Sequence, residues 1–363
     1  MALHVIFDIR FTYYFPQYEP VLKALLLEGA RCDILVHPAV HPALEQQIQS
    51  RYGIECIAID DETQAIDRVN QKRPHWFVLG HGIANMERIH PPTQTALIFH
   101  GLDSSFKAAT LAPGLNAFDV RFLSGRGRSQ FLKQALPDVT YVESGFAKLD
   151  PLMPPDKRHK EPQFLTRRGL DPKKKTLLYA PTFYPSSLEN FPRRFPKDFR
   201  HYNILIKAHD FTLNKKKYRH QLKKLTHWAS FDNVYLASDE EFSLLPFMSA
   251  ADLMISDTSS AVYEFAALNK PVIICGFIYL RWSYRGPFRA KAKKRLDAST
   301  EAFQKLAEKV PKYSALKAAV ERDIQHPKRL EKERLEISDQ VVGPRDGLCS
   351  QRIVDYLKRH AAD

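Results

Sequence analysis

The stretch from Leu253 to Gly276 most constrains what this chain can fold into. An apolar run (Leu253, Met254, Ile255) meets the small polar residues Ser256, Asp257, Thr258, Ser259 and Ser260. Apolar residues then recur at helical spacing (Val262, Phe265, Ala266), and Pro271 precedes a second apolar run ending at Gly276. The order is strand, turn, helix, strand. In a parallel sheet such a unit places the hydroxyl-rich turn at the carboxyl end of its strand. There the amides and the positive dipole end of the next helix can hold a phosphate. The alternative is that Thr258 or Ser259 serves only to cap the helix.

The rest of the chain repeats the pattern. Apolar runs occur at Leu3 to Ile9, Cys32 to Val36, Ile54 to Ile59, Trp76 to Leu79, Ala96 to Phe99, Val120 to Leu123 and Tyr141 to Val142. Helical spacing lies between several of them, at Tyr18 to Gly29, Ala43 to Tyr52 and Thr63 to Gln71. From Asp150 to Pro172 the composition shifts to Pro, Lys and Arg, which marks a domain boundary. A second series follows at Thr176 to Tyr179, Ile204 to Ile206, Val234 to Leu236, Leu253 to Ile255 and Val272 to Ile274, with a helix over Glu241 to Ala251. The tail from Glu301 reads as mostly helical and ends in an amphipathic helix over Ser350 to His360. With 363 residues the chain exceeds the usual size of one core. The expected architecture is α/β, with two domains facing a cleft. Residues 1–155 are expected to form the N-terminal domain and 165–340 the C-terminal domain, with 341–363 a final helix returning to the first.

Composition narrows the function classes. No apolar run approaches the roughly 20 residues needed to cross a bilayer, and the N-terminus reads as a first strand, not a signal peptide. Cys32, Cys56, Cys275 and Cys349 are dispersed without a CxxC pair, so reduced thiols in a cytoplasmic protein are expected. The 54 Lys and Arg against 41 Asp and Glu give a formal charge of +13, which favours nucleic acid, an anionic membrane face or a phosphate-rich substrate.

Four strand ends carry residues suited to phosphate chemistry. In Phe99-His100-Gly101-Leu102-Asp103-Ser104-Ser105-Phe106-Lys107 a strand delivers His100 to a sharp turn, with Lys107 within reach. A neutral imidazole there could take a proton from an attacking hydroxyl, or could be a loop histidine bonded to backbone. In Tyr179-Ala180-Pro181-Thr182, Pro181 stops strand pairing and Thr182 presents a hydroxyl and an amide. In Ile206-Lys207-Ala208-His209, strand alternation sets Lys207 and His209 on one face, as a departing phosphate requires, or as an edge lysine and a structural histidine. The fourth is the turn Ser256 to Ser260, with Glu264 one helical turn on, placed to accept from ribose hydroxyls or to sit as a solvated charge. Arg126 and Arg128, in Ser124-Gly125-Arg126-Gly127-Arg128, offer further phosphate contacts. Neither a GxGxxG fingerprint nor a P-loop occurs.

Together these stretches resemble the CDP-glycerol glycerophosphotransferase family, whose members build teichoic acids and related polyol-phosphate polymers. Phe99-His100-Gly101 with Lys107 is similar to its Trp-His-Gly-Thr-Pro segment and following Lys, with Leu102-Asp103-Ser104 in place of Thr-Pro-Leu. Tyr179-Ala180-Pro181-Thr182 matches its Tyr-Ala-Pro-Thr strand end. Lys207-Ala208-His209 matches its Lys-x-His, with Asp210 where Pro often follows. Ser256 to Ser260 and Lys270-Pro271-Val272-Ile273 resemble its Ser-Asp-Tyr-Ser-Ser turn and Lys-Pro strand. The resemblance covers roughly Ala96 to Gly276. It implies a GT-B fold of two Rossmann-like domains facing a cleft, with residues 1–155 the acceptor-side domain and 165–340 the nucleotide-donor domain, His100 as base on the acceptor hydroxyl, and His209 with the Ser259 and Ser260 amides stabilising the donor diphosphate.

The expected reaction moves a polyol phosphate from a CDP-activated donor to a hydroxyl of a lipid-linked or saccharide acceptor. No cofactor is required. Mg2+ is compatible with the chemistry, but no Asp, Glu and His cluster has ligand spacing and no metal site is expected. The basic segments Lys173 to Lys175, Lys215 to Lys217, Lys223-Lys224 and Arg289 to Arg295 fit attachment to the anionic inner face of a cell membrane, or are solvated helix faces. Three rivals remain open. One is a nucleotide-sugar transferase of capsule or lipopolysaccharide synthesis, or a UDP-sugar 2-epimerase, of the same fold. Another is a family member that binds acceptor without turnover. The last is a basic nucleic-acid-binding protein, disfavoured because no recognised nucleic-acid motif occurs.

Overall fold

Short runs of apolar residues become parallel strands when helices cover both faces of the sheet, because every side chain is then buried. A computed structural model of the chain describes residues 2–99, 101–102, 117–154, 162–183, 185–257, 259–278 and 305–361. It divides into two compact units, Met1–Lys157 with Asp339–Asp363, and Arg158–Ser338.

In the first unit, strands β1 (His4–Ile9), β2 (Arg31–Val36), β3 (Cys56–Ala58), β4 (Trp76–Leu79), β5 (Gln94–Ile98), β6 (Val120–Leu123) and β7 (Thr140–Glu143) are joined by short loops and helices. They pair in the order β3-β2-β1-β4-β5-β6-β7, every pair parallel. Helix α1 (Phe15–Leu27) starts a turn before the Tyr18 expected from periodicity, because Pro16 suits the first helical turn. Helices α2 (Pro42–Tyr52), α3 (Glu62–Lys72) and α4 (Arg126–Ala135) follow.

In the second unit, β8 (Thr176–Ala180), β9 (Asn203–Ile206), β10 (Val234–Leu236), β11 (Leu253–Ser256), β12 (Val272–Cys275) and β13 (Glu308–Val310) pair in the order β10-β9-β8-β11-β12-β13, again all parallel. Helices α5 (Pro162–Thr166), α6 (Phe195–Asp198), α7 (Asp210–Asn214), α8 (Arg219–Trp228), α9 (Leu245–Ala250), α10 (Ala261–Ala267) and α11 (Leu316–Gln325) belong to this unit. Tyr179, Phe191, Phe195, Phe199 and Trp228 form an aromatic core, all 2% exposed or less. Burying each such ring stabilises the fold by about 2–3 kcal/mol.

One expectation from periodicity changes and another gains a detail. The helix expected over Glu241 to Ala251 begins only at Leu245, where Pro246 occupies the first turn. Glu241 instead accepts from Arg168, the Tyr235 hydroxyl and the Ser238 amide. The tail is mostly helical as expected, and β13 adds an edge strand before α11.

Helix α12 (Glu331–Val341) leads the chain back to the first unit, where α13 (Cys349–Arg359) ends it. Asp150 accepts from the Cys349 amide at 3.2 Å and from the Ser350 amide and hydroxyl at 2.6 Å, satisfying donors at the start of α13. Ile353, Val354 and Leu357 are buried, and the Trp76 indole donates to the Leu357 carbonyl at 2.8 Å.

Lys270, from the Lys-Pro stretch before β12, donates to the carbonyls of Met248, Ser249 and Ala251 at 2.9, 2.9 and 2.8 Å. These groups close α9, so the ammonium acts as a C-terminal cap against the negative end of its dipole. Replacing it by methionine leaves three carbonyls without their donor. Lys270→Met is expected to lower the stability of the second unit by about 2–3 kcal/mol. Urea unfolding followed by tryptophan fluorescence measures this, with Lys173→Met, at an exposed position, shifting the midpoint little.

Candidate active site

Strand order reverses between β8 and β11 in the second sheet, and in such sheets ligands bind beyond the carboxyl ends of the strands at that point. Ser256 ends β11 and donates to the Ala180 carbonyl at the end of β8, 2.6 Å away. The next residue, Asp257, is only 2% exposed. Its Oδ1 accepts from the Thr182 amide at 2.9 Å, and its Oδ2 accepts from the Ser187 amide at 2.9 Å and the Ser187 hydroxyl at 3.0 Å. One carboxyl group thus fixes the Ala-Pro-Thr turn after β8 and the segment at Ser187 relative to the hydroxyl-rich turn after β11. Lys224 also holds this segment, donating to the carbonyls of Leu188, Glu189 and Phe191 at 2.9, 2.9 and 2.8 Å. Lys224 is therefore a structural clasp within the unit and leaves the basic surface expected of the Lys223-Lys224 pair.

Burial pushes the Asp257 carboxyl up to about 6, against the lowering effect of the Ser187 and Thr182 hydrogen bonds. The sequence places Asp257 in the turn without marking its role. The available signal was the Ser-Asp pair directly after a fully apolar strand, where a charged residue must find donors.

Around this frame the structure gathers several of the expected residues. Thr182 is half-buried and its amide is committed to Asp257. The adjacent Phe183 ring packs against His209, with centroids 4.7 Å apart, and His209 packs against Phe211 at 5.0 Å. His209 differs from expectation: β9 stops at Ile206, so strand alternation does not carry to it. It is the N-cap of α7, its Nδ1 accepting from the Phe211 amide at 3.1 Å. That bond leaves the Nε2 edge of the ring as the N–H donor. Lys207 is half-buried, its amide bonded to the Tyr179 carbonyl at 3.1 Å. Burial lowers its ammonium from the usual lysine value, opposed by the charges of Glu241, Asp210 and Asp239.

Ser259 and Ser260 precede α10. The Ser259 hydroxyl accepts from the Ala261 amide at 3.3 Å, which is a cap, while Ser260 makes no side-chain capping bond. Glu264 is 3% exposed inside α10, whose residues are all buried, so it is not a solvated charge. His100, Lys107, Thr258 and Arg289 to Arg295 lie outside the described residues, as does the side chain of Arg128. Arg126 is exposed in the first turn of α4, in the other unit. The glycines beside it have a packing cause: a Cβ on Gly125 would collide with the Gln340 carbonyl, and one on Gly343, at φ 86°, with the Ser124 carbonyl. Among the described residues no group of three or more His, Cys, Asp or Glu is arranged to hold a metal ion, and none of the four cysteines forms a disulfide.

Comparison with known proteins bears on this arrangement. A family model described as CDP-Glycerol:Poly(glycerophosphate) glycerophosphotransferase matches residues 129–359. The teichoic acid glycerol-phosphate primase of Bacillus subtilis (strain 168) is 26% identical over 107 residues, 28% of this chain and 25% of that protein. The teichoic acid poly(glycerol phosphate) polymerase of Bacillus spizizenii is 24% identical over 142 residues, 37% of this chain and 34% of that protein. The chain thus spans only about a quarter to a third of these relatives' length. The solved wall teichoic acid polymerase TagF superposes with TM-score 0.66 at 12% identity, covering 98% of this chain and 88% of that one. The UDP-GlcNAc 2-epimerase from Neisseria meningitidis bound to UDP-GlcNAc gives TM-score 0.64 at 13% identity, covering 99% of this chain and all of the other. These likenesses show the fold, a GT-B type with two Rossmann-like units.

The Asp257 carboxyl yields a signed pH dependence. Because its folded-state value is raised, its contribution to stability is complete below the unfolded value of about 3.9 and is lost as pH rises through about 6. Asp257→Asn removes that titration and turns an amide N–H toward backbone donors. The variant is expected to be less stable than the native chain at both pH 5 and pH 7.5, with the gap about 1 kcal/mol larger at pH 5. Urea midpoints at the two pH values measure it, and a gap that widens with rising pH would contradict the assignment.

Proposed function

Since the chain belongs to the CDP-glycerol:poly(glycerophosphate) glycerophosphotransferase family, we propose that it transfers glycerol phosphate, or a similar polyol phosphate, from a CDP-activated donor to a hydroxyl of a lipid-linked or saccharide acceptor in cell-envelope polymer synthesis. The observation that carries this reading is the frame built on Asp257. It holds the Thr182 turn and the Ser259-Ser260 turn at one strand-order reversal, with His209 packed beside it through Phe183.

The reaction requires an acceptor hydroxyl to attack the phosphorus of the polyol phosphate. The new P–O bond forms as the bond to CMP breaks, and the hydroxyl proton passes to a base, assigned to His100. Negative charge grows on the departing CMP. His209 offers an N–H donor from a ring fixed by its own capping bond, and Lys207 a cation in a partly desolvated place, where its field is stronger than in water. The Ser259 and Ser260 amides, at the start of α10, are assigned to the donor diphosphate, and Thr258 and the Thr182 hydroxyl to the same group. Glu264 is assigned to the nucleoside. Its burial suits a carboxylate that accepts hydroxyl hydrogen bonds away from water. Lys107, Arg126 and Arg128 are secondary phosphate contacts in this scheme. The first unit takes the acceptor side and the second the nucleotide side.

No helix among the described residues is long and apolar enough to cross a membrane. Lys173 to Lys175 and Lys215 to Lys217 are exposed, and at roughly 1 kcal/mol per basic residue near an anionic surface they support reversible attachment to the cytoplasmic face of the cell membrane.

The test is CMP release from CDP-glycerol with and without lipid-linked acceptor. His100→Ala and His209→Ala are each expected to reduce release by about 10²–10³-fold with the unfolding midpoint retained. Turnover of a UDP-sugar with no CMP release from CDP-glycerol or CDP-ribitol would replace the donor and keep the fold.

A further inference from the structure

The first sheet reverses its strand order between β1 and β4, and beyond the carboxyl ends of β1, β2 and β3 lies an open pocket of ≈ 510 Å³. That volume suits a small ligand. Its wall comes from the residues following β1 (Arg10, Phe11), β2 (His37) and β3 (Asp60, Asp61), and from the start of α3 (Glu62). None of these has a part in the donor chemistry assigned above.

One buried pair and one fixed ion pair show a built site. His37, 8% exposed, donates from Nε2 to Asp8 Oδ1 at 2.8 Å, and Asp8 is 1% exposed. The bond fixes the ring and leaves Nδ1 as its acceptor. Among the described residues Asp8 Oδ2 is buried with no hydrogen-bond partner. Arg10 donates to Glu62 Oε1 at 2.5 Å while Glu62 Oε2 accepts from the Ala84 amide at 3.1 Å, so this ion pair is locked in place. Phe11 lies half-buried and stacked on Tyr13, centroids 5.5 Å apart and planes 7° from parallel, presenting a flat apolar face.

Charge selects the ligand. One cation, Arg10, faces three carboxylates, Asp60, Asp61 and Glu62, a net −2 counting histidine as neutral, in a chain whose formal charge is +13. A phosphate or diphosphate is repelled here, and no metal-holding group occurs among the described residues. Carboxylates, an imidazole acceptor and an aromatic face together suit hydroxyl groups on a compact carbon skeleton, the hydroxyls donating to the carboxylates and the C–H face lying on Phe11. We propose that this pocket binds an uncharged polyhydroxylated group, a sugar ring or a polyol. Naming that group as the sugar or polyol end of the acceptor rests on the transferase reading. The binding itself does not.

Saturation-transfer NMR on the full chain with N-acetylglucosamine, glycerol and glycerol 3-phosphate as probes tests the site without turnover. The sugar and glycerol are expected to receive saturation and glycerol 3-phosphate to receive less. Asp60→Ala, at an exposed position, and His37→Gln, which keeps a donor toward Asp8, are each expected to weaken sugar binding by about fivefold, the loss of one hydrogen bond of about 1 kcal/mol. Calorimetric binding of CMP is expected to remain as in the native chain, showing that both variants are folded. No transfer to either neutral probe, undiminished transfer in both variants, or preference for glycerol 3-phosphate would overturn the proposal. Sugar binding that follows the two variants in a chain that releases no CMP from CDP-glycerol would uphold the ligand class and remove its assignment to an acceptor.

Discussion

A buried carboxyl group with three donors around it is the constraint on which the turns at the strand-order reversal of the second unit depend. Asp257 reaches from the end of β11 to the Thr182 amide and to the amide and hydroxyl of Ser187. Among the described residues neither N–H has another partner in a helix or strand, so without the carboxyl group both would lose their acceptor, that of Ser187 in a fully buried residue. The burial that raises its proton affinity also strengthens each hydrogen bond, because little water competes. Thr182, Phe183 and His209 then follow in a chain of contacts, and the Ser259-Ser260 turn begins two residues on.

The two sheets use the same device for different purposes. Each reverses strand order after its first strand, and each places a buried acidic residue there, Asp8 in β1 and Asp257 just after β11. Asp257 spends its oxygens on backbone and hydroxyl donors and so organises turns. Asp8 spends one oxygen on an imidazole and so orients a side chain facing a pocket. Lysines follow a similar logic. Lys224 and Lys270 each donate to three carbonyls and act as internal caps, so a count of basic residues overstates the charge presented to an anionic surface.

Most strands were legible in the sequence because parallel strands covered on both faces must be apolar throughout, as in Trp76 to Leu79 and Leu253 to Ile255. β13 was not, since Glu308-Lys309-Val310 is a three-residue edge with only Val310 buried. The strand-turn-helix character of the organising stretch was legible from its small polar residues. The task of Asp257 was not, because its partners lie 75 and 70 residues away and depend on strand order. His209 differs from the strand reading for a local reason: a histidine three residues past a strand can cap a helix as readily as extend the pairing. The Asp8 and His37 contact joins residues 29 apart through sheet pairing, and no spacing rule signals it.

The last helix has a consequence for how the chain comes to be made. Asp150 receives its amide donors from residues 199 and 200 positions later, and Trp76 waits for the Leu357 carbonyl. At roughly 5–20 residues per second, translation separates these partners by about 10–60 s. The second unit is continuous in sequence and can close during that interval. The first emerges earlier from the ribosome but lacks α13 until synthesis reaches it, so the part made first is the part completed last.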